Sequence, residues 1–284
     1  MLILAILLLS TEYFQNERIR VILSTFCYFL FVAAGLYIFA PVSAVCYSPP
    51  PSPDLSTILP MAINPFTVPF DVPAHEGVSI TAVYTNLSAS ADAWIDRVEP
   101  SLAASKEKVV GTDLEFTPPG RRQKAAVIQL CVGQDCLVYH ICCAADPVSE
   151  KFKKFLRNRR YKFAAVDISQ DIKMMSKSEH HLEIPISNHI DIQRIWANPD
   201  STKRRQGMKD LAAALIHDSY KEMKDKMTSK DHEEWAIAPL SEKHMHYAAK
   251  DAYVSYELYR RLDFFERGWY HAHRRSGKVR SRTW

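Results

Sequence analysis

The stretch VVGTDLEFTP at residues 109–118 places two carboxylates, Asp113 and Glu115, two residues apart in an otherwise apolar, strand-like run. Residues i and i+2 of a strand point to the same face, so the two acidic side chains are presented together. Two like charges in a partly buried place raise each other's pKa and cost free energy unless a cation joins them. The pair therefore indicates either a solvated strand end or one half of a cation site.

Three further residues extend this pattern. Asp171 follows the predicted strand YKFAAVDI at the start of a helix, and α/β proteins assemble sites at the C-terminal ends of strands. Tyr247 and Asp251 are four residues apart in a long predicted helix and therefore lie on one face of it. Taken alone, Asp171 is also an ordinary first-turn acid, and the Tyr-Asp pair is also an ordinary helix stripe.

His246 competes with Tyr247 as the partner of Asp251, because HYAAKD satisfies both a four-residue and a five-residue spacing. On a continuous helix a separation of four leaves about 40° between side chains, whereas a separation of five leaves about 140°. The spacing therefore favours Tyr247 and predicts that His246 lies on the helix surface.

The order of these residues resembles the DEDD group of 3′-5′ exonucleases in its tyrosine subclass, and it is most similar to the plant Werner syndrome exonuclease-like proteins. The resemblance extends from about Val78 to Leu262. Ala165 and Gln170 depart from the pattern, which usually has a glycine and a smaller polar residue there. Three segments carry the resemblance: VVGTDLEFTP, FAAVDISQDIKMM and LSEKHMHYAAKDAYVSYELYRRL.

The resemblance implies an α/β, ribonuclease-H-like fold with a mixed five-stranded sheet flanked by helices, in which the second strand is antiparallel. It implies that Asp113, Glu115, Asp171 and Asp251 bind two divalent cations, Mg²⁺ or Mn²⁺, and that Tyr247 positions the attacking water. The residue types agree, because hard oxygen ligands suit these cations. Two cations about 4 Å apart activate a water and stabilise the departing 3′ oxygen. The resemblance alone favours DNA 3′ ends over RNA.

The elements that would position these residues are strands that first pair locally and then alternate with helices, which predicts a mixed sheet with helices on its faces. A serine-capped helix pattern ends at Pro100, and Gly133 to Asp135 predict a tight turn. The strand-like runs are 78–85, 108–116, 124–132, 136–142, 161–168 and 189–196, and the later helix patterns are 149–158, 169–177, 207–216 and 241–262.

Composition divides the chain into four parts. Residues 1–45 are a hydrophobic N-terminal segment, 46–77 a Pro-rich linker, 78–266 the exonuclease domain and 267–284 a basic tail. Nine of the 16 prolines lie between Pro41 and Pro73. Proline removes backbone donors and favours extended conformations, which is typical of a linker.

Residues 21–40 are a candidate membrane span, since they supply the roughly 20 apolar residues that a helix needs to cross a bilayer. Arg18 and Arg20 precede this run, which would hold the N-terminus in the cytoplasm. Two alternatives stay open: a signal peptide ending near PVSA, or a working protein that lacks the first 45 residues.

Charge and cysteine usage bear on partners and location. The net charge is only +4, which neither demands nor excludes nucleic acid. The six cysteines lack the spacing of a zinc module, so we expect buried free thiols and a reducing compartment. Together with the basic tail and the resemblance, this favours the nucleus and cytoplasm over a membrane anchor at residues 21–40.

Substrate contacts are less specific than the carboxylate pattern. The chain has no phosphate-binding Gly-x-x-x-x-Gly-Lys-Ser/Thr loop, so any unwinding would come from a helicase or repair partner in trans. A catalytically silent nucleic-acid-binding module and a membrane-tethered nuclease are the competing interpretations. Basic clusters at 121–122, 151–160, 203–205 and 274–282 are candidate phosphate contacts, and Trp196, Trp235 and Tyr253 are candidate stacking residues.

Overall fold

The computed structural model describes residues 64–120, 123–196, 205–224 and 227–275, with side chains described as far as residue 262. Its centre is one mixed sheet of seven strands: β1 (Thr67–Pro73), β2 (Ser79–Thr85), β3 (Val109–Phe116), β4 (Ala125–Val132), β5 (Asp135–Tyr139), β6 (Lys162–Ala165) and β7 (His189–Asp191). Across the sheet the strand order is β1-β2-β5-β4-β3-β6-β7.

Helices cover both faces of this sheet. They are α1 (Ser88–Ala104), α2 (Glu150–Arg157), α3 (Ile168–Met175), α4 (Ile192–Ile195), α5 (Met208–Leu215) and α6 (Glu242–Arg275). Short 3-10 turns occupy Ile141–Cys143, Ile186–Asn188, Asp218–Glu222 and Asp231–Glu233. One core lies between the sheet and α1 to α3, and the other lies between the sheet and α5 and α6.

The strand directions confirm the predicted fold class. Strands β3, β6 and β7 are parallel, while β4 runs antiparallel to both β3 and β5. The five strands β3 to β7 therefore form the predicted mixed sheet with its second strand antiparallel. The sheet is larger than predicted, because β2 pairs with β5 and β1 pairs with β2.

The folded domain begins before residue 78, so the predicted linker boundary is wrong. Residues Thr67–Pro73 pair with β2 along their whole length, and Val72 is buried against the core. Pro69 and Pro73 are compatible with this strand because β1 is at the sheet edge and needs ladder hydrogen bonds on one side only. Residues 46–63 of the predicted linker lie outside the described residues.

Helix α1 also differs from its prediction. It continues through Pro100 to Ala104, and Leu87, which has no side-chain cap, precedes it instead of a capping serine. Proline in a helix interior removes a hydrogen bond and is destabilising. The helix continues because Trp94, Val98 and Leu102 are buried, which outweighs the local preference.

Helix α6 packs directly on β3 because Gly111 has no side chain. A Cβ atom at Gly111 would lie 2.3 Å from the carbonyl oxygen of Ala252 and 2.5 Å from the backbone nitrogen of Tyr256. Such distances leave no room for any other residue. The close approach places Asp251, the residue before Ala252, beside the carboxyl end of β3.

The predictions for the two ends of the chain are only partly within the described structure. Residues 267–275 of the predicted tail belong to α6. The hydrophobic segment at 1–45 and residues 276–284 lie outside the described residues. Within the described ranges, no helix combines the length and the apolar character that a bilayer span requires.

Candidate active site

Strand β3 presents Asp113 and Glu115 on the face that α6 covers. Alternate residues of this strand contribute to opposite cores, with Val109 in the α6 core and Leu114 in the α1 core. Asp113 and Glu115 share the parity of Val109 and so point toward α6. Both are half-buried, and the predicted same-face pairing is therefore present.

Helix α6 adds a third carboxylate to this pair. One oxygen from each of Asp113, Glu115 and Asp251 lies within 4.8 Å of the other two. Asp251 is only 1% exposed, and neither of its carboxylate oxygens accepts a hydrogen bond from the described residues. A buried carboxylate without hydrogen bonds costs free energy unless a cation compensates it. The cluster therefore fits a cation site.

Asp171 lies close to this cluster but outside the group of three. It is in the first turn of α3 and is 7% exposed, and its Oδ2 atom has no hydrogen-bond partner in the described structure. The residue before the helix is Asp167, which has a left-handed backbone at φ 65°, and the predicted cap Ser169 instead donates a hydrogen bond to Asp167. The charge of Asp113 acts on Asp171, so the two carboxylates lie near each other.

The carboxylates raise one another's pKa values in the metal-free protein. Burial and then the charge of Asp251 raise the pKa of Asp113 to about 8, with Lys224 opposing the shift. Burial and then the charge of Asp113 raise the pKa of Glu115, and the same two causes raise the pKa of Asp171. A bound cation would reverse this electrostatic cost.

Tyr247 lies beside the carboxylates and is held by aromatic neighbours. Its ring centre is 6.0 Å from that of Trp235 and 5.7 Å from that of His232, and it is 9% exposed. Burial and then the charge of Asp251 raise its pKa above 10. The hydroxyl therefore stays protonated and can orient a water, but it is a poor base.

His246 is oriented differently from Tyr247. Its ring stacks on Phe70 with a centre distance of 5.9 Å, and its Nε2 atom lies 3.8 Å from Glu242. It is not part of the carboxylate cluster in the described structure. The geometry therefore agrees with the assignment of Tyr247 over His246, while the catalytic roles stay a prediction.

Lys224 is a site residue that the sequence analysis missed. Its ammonium nitrogen lies 3.1 Å from Asp251 Oδ2 and 5.3 Å from the centre of the Tyr247 ring. Burial lowers the pKa of this ammonium, but the charges of Asp251, Tyr247 and Asp113 together raise it above its ordinary value. The lysine therefore brings a positive charge into the carboxylate cluster.

Gln129 is a second residue that the sequence analysis missed. It pairs directly with Asp113 in the β3–β4 register, so the two side chains leave the sheet on the same face. Gln129 is fully buried, and neither atom of its side-chain amide has a hydrogen-bond partner in the described residues. A single amide in the apolar run AAVIQLCV is the one sequence signal that could have drawn attention to it.

The prediction of stacking residues is wrong for two of the three. Trp235 and Tyr253 are 1% and 4% exposed, which leaves no face for a nucleic-acid base, whereas Trp196 is half-buried. In the basic cluster on α2, Lys151 pairs with Asp96 and Lys153 pairs with Glu150. These local ion pairs are typical of a solvated helix face.

Comparisons with known proteins show the family to which the chain belongs. A family model described as a 3′-5′ exonuclease matches residues 94–263. The mouse bifunctional 3′-5′ exonuclease/ATP-dependent helicase WRN is 29% identical over 166 residues, which is 57% of this chain and 11% of that protein. The Drosophila erecta 3′-5′ exonuclease is 26% identical over 188 residues, which is 63% of this chain and 50% of that protein. The chain thus spans half or less of the length of these relatives.

Two solved structures illustrate proteins with a similar arrangement. Escherichia coli RNase D is 19% identical with a TM-score of 0.49, and the match covers 64% of this chain and 46% of that chain. The Aedes aegypti Nibbler EXO domain is 17% identical with a TM-score of 0.46, and the match covers 60% of this chain and 84% of that chain.

Proposed function

The chain belongs to the 3′-5′ exonuclease family, and we propose that it removes nucleotides one at a time from nucleic-acid 3′ ends, with DNA preferred to RNA. The observation that carries the proposal is the convergence of three carboxylates, those of Asp113, Glu115 and the buried Asp251, beside the ammonium of Lys224. Exonucleases of this fold use divalent metal ions. The preference for DNA rests on the family resemblance.

The residues present fit a pair of divalent cations. Carboxylate oxygens are hard ligands of the kind that Mg²⁺ and Mn²⁺ prefer. Asp113, Glu115, Asp251 and Asp171 would hold the two ions; Asp171 Oδ2 and Asp251 Oδ1 accept no hydrogen bond in the described structure, and Asp251 Oδ2 is paired with the Lys224 ammonium. Such a pair supplies activation of the attacking water and neutralisation of the charge that develops on the departing 3′ oxygen.

The chain's own groups would contribute positioning and charge. The protonated hydroxyl of Tyr247 can hydrogen-bond the attacking water and fix its direction, and the rings of Trp235 and His232 hold Tyr247 in place. Lys224 brings a positive charge to the same place, where it can offset the negative charge of the phosphodiester. Each of these interactions lies within a partly buried site, which strengthens its electrostatic effect.

The reaction is tested with a 5′-labelled duplex that has a recessed 3′ end, incubated with Mg²⁺ and then with a chelator. We expect a ladder that shortens by single nucleotides, stops on chelation, and forms more slowly when the labelled strand is RNA. Intact substrate under both Mg²⁺ and Mn²⁺ would instead identify a nucleic-acid-binding module. Internal fragments as first products would rule out exonuclease action.

We further propose that the protein acts in the nucleus and cytoplasm, where a helicase or repair partner would supply unwinding in trans. Cys131 and Cys136 are buried free thiols, which suits a reducing compartment. Imaging of full-length and residue-60-truncated fusions tests this location. We expect the same nuclear and cytoplasmic signal from both. A membrane signal that only the full-length fusion shows would support an anchor through residues 21–40.

A further inference from the structure

A second cluster of metal-ligating side chains lies at the end of β5, away from the carboxylates. His140 follows this strand, and Cys142 and Cys143 lie in the 3-10 turn Ile141–Cys143. The two sulfur atoms are 3.6 Å apart, and one ligand atom from each of the three residues lies within 4.8 Å of the others. His140 is fully buried, while both thiols are half-buried and therefore reachable.

We propose that His140, Cys142 and Cys143 form a second metal site, which binds a thiophilic divalent cation of the Zn²⁺ class. Two thiolates at about 2.3 Å from a tetrahedral Zn²⁺ are about 3.8 Å apart, close to the 3.6 Å between these sulfurs. Sulfur and imidazole ligands select soft or borderline cations, whereas the carboxylate cluster suits hard ones. The two sites would therefore bind different metals from one solution.

The hydrogen bonds of His140 show which nitrogen is available. Its Nε2 atom lies 3.0 Å from the carbonyl oxygen of Trp235, and a carbonyl only accepts, so Nε2 carries the proton. The Nδ1 lone pair then accepts a hydrogen bond from the Tyr84 hydroxyl at 2.8 Å. Metal-bound histidines commonly donate their other N–H to a backbone carbonyl, as Nε2 does here. Tyr84 is thus the competitor that a cation must displace from Nδ1.

The thiols complete the ligand set with a defined proton balance. Cys143 donates a hydrogen bond to the carbonyl oxygen of Ala236 at 3.3 Å, and its sulfur also interacts with Cys142 and His140. Binding of M²⁺ by two thiolates and a neutral imidazole releases one proton from each cysteine that is a thiol before binding. A fourth position stays open to water.

Metal binding at this site would affect the candidate active site through one loop. Trp235 and Ala236 accept the hydrogen bonds of His140 and Cys143, and Trp235 packs on Tyr247. Metal binding breaks the Cys143–Ala236 bond and frees the Tyr84 hydroxyl, which also accepts from the Leu240 backbone. We therefore expect lower turnover at saturating Mg²⁺. This last step rests on the proposed function, whereas the binding itself does not.

The test titrates Co²⁺ or Cd²⁺ into the chelator-stripped full-length protein with its thiols kept reduced, and it follows thiolate-to-metal charge-transfer absorption. We expect one equivalent of thiolate-bound metal in the wild type and none in a C142S/C143S double variant. The matched control is C131A/C136A, which removes the other cysteine pair of the described sheet. Asp113→Asn is a second control that leaves all thiols in place. Both controls should keep the absorption.

Tyr84→Phe provides a readout that does not depend on losing the thiols. Removing a competing hydrogen bond worth about 1 kcal/mol should tighten Cd²⁺ binding about 5-fold. Unchanged or weaker binding in this variant would overturn the assignment of Nδ1 as a ligand. Absence of thiolate absorption in the wild type, or its persistence in C142S/C143S, would overturn the site. These metal-binding results do not depend on whether the protein cleaves nucleic acid.

Discussion

At the scale of single residues, Asp251 determines the electrostatics of the candidate active site. It is buried on α6, accepts no hydrogen bond from the described residues, and has the Lys224 ammonium 3.1 Å away. A carboxylate held in this way attracts any cation that can reach it. Lys224 and divalent metals therefore act on the same negative charge.

Asp113→Asn should separate catalysis from stability. We expect a loss of turnover of about 1000-fold, because a proposed ligand of the divalent cations, which stabilise the developing charge, is removed. The pKa of Asp113 is about 8 in the folded metal-free protein, against 3.8 as its ordinary value. Because the folded-state pKa is raised, the contribution of protonated Asp113 to the free energy of unfolding is fully present below about pH 4. This contribution is lost as the pH rises from there through about 8.

The stability gain of Asp113→Asn should therefore grow between pH 5 and pH 8 in the presence of chelator. Thermal unfolding at matched pH values measures it, and each 1 kcal/mol corresponds to about 2–4 °C for a domain of this size. A pH-independent difference between variant and wild type would show that Asp113 is not held under charge repulsion.

Lys224→Met should lower turnover by about 100-fold, since the variant removes a positive charge next to the reacting group. It should also destabilise the metal-free protein, because Asp251 loses the cation 3.1 Å away. Lys224→Arg is the control that keeps the charge. Steady-state cleavage and thermal unfolding in chelator check both effects. Full activity in Lys224→Met would remove the lysine from the site.

Tyr247→Phe and His246→Ala test the two spacings against each other. We expect about a 100-fold loss of turnover for Tyr247→Phe, since a misdirected nucleophile has that order of effect. His246→Ala should change turnover little, because its ring stacks on Phe70 away from the carboxylates. Single-turnover cleavage of one labelled 3′ nucleotide distinguishes them. The reverse ranking would assign the role to His246.

Sequence spacing alone predicted that Asp113 and Glu115 share a strand face and that Tyr247 and Asp251 share a helix face, whereas the family resemblance was needed to predict that Asp251 meets the strand pair. Their positions follow from strand parity and helix periodicity, which are fixed by backbone geometry. Lys224 follows the irregular turn Asp218–Glu222, where no periodicity relates a side chain to a distant site. The position of Gln129 opposite Asp113 can be recognised only when the β3–β4 register is known.

At the scale of elements, the contact between α6 and β3 assembles the site. Gly111→Ala would place a methyl group 2.3 Å from the Ala252 carbonyl oxygen, which forces the helix away from the strand. We expect a loss of about 1–3 kcal/mol in unfolding free energy and a loss of turnover, as Asp251 moves away from Asp113. Thermal unfolding and cleavage assays measure the two losses.

Gly207→Ala is the matched control for that variant. A Cβ atom at Gly207 would meet no heavy atom within 4 Å, and its φ of −72° suits any residue. Its unfolding temperature and turnover should remain near those of the wild type. Equal effects of the two substitutions would contradict a special role for the α6–β3 approach.

Element prediction succeeded where periodicity was strong and failed where tertiary contacts override local preference. Helix α2 was predicted from its apolar spacing, and the structure shows that Ser149 caps it by accepting a hydrogen bond from the Phe152 backbone. Strand β1 was missed because its prolines are typical of a linker, yet its place at the sheet edge allows them. Pro100 was taken as the end of α1, although burial on the sheet carries the helix past it.

At the scale of the whole molecule, the α/β fold places hard oxygen ligands and softer sulfur and nitrogen ligands for metals in two different clusters. Carboxylates gather between β3 and α6, while thiols and an imidazole gather at the end of β5. The loop that contains Trp235 lies against His140 of the thiol cluster and against Tyr247, which is beside the carboxylates. Because the carboxylates are concentrated in one place, the chain has a strongly anionic site although its net charge is +4.

The most direct test measures Mn²⁺ binding and cleavage together in the wild type and an Asp113→Asn/Asp251→Asn double variant. Calorimetry with the purified full-length protein gives the binding stoichiometry, and the labelled recessed duplex gives the cleavage rate. We predict that the wild type binds two Mn²⁺ ions and shortens the 3′ end, and that the double variant does neither. Cleavage at the wild-type rate by a double variant that no longer binds Mn²⁺ would contradict the assignment of this cluster as the metal-dependent nuclease site.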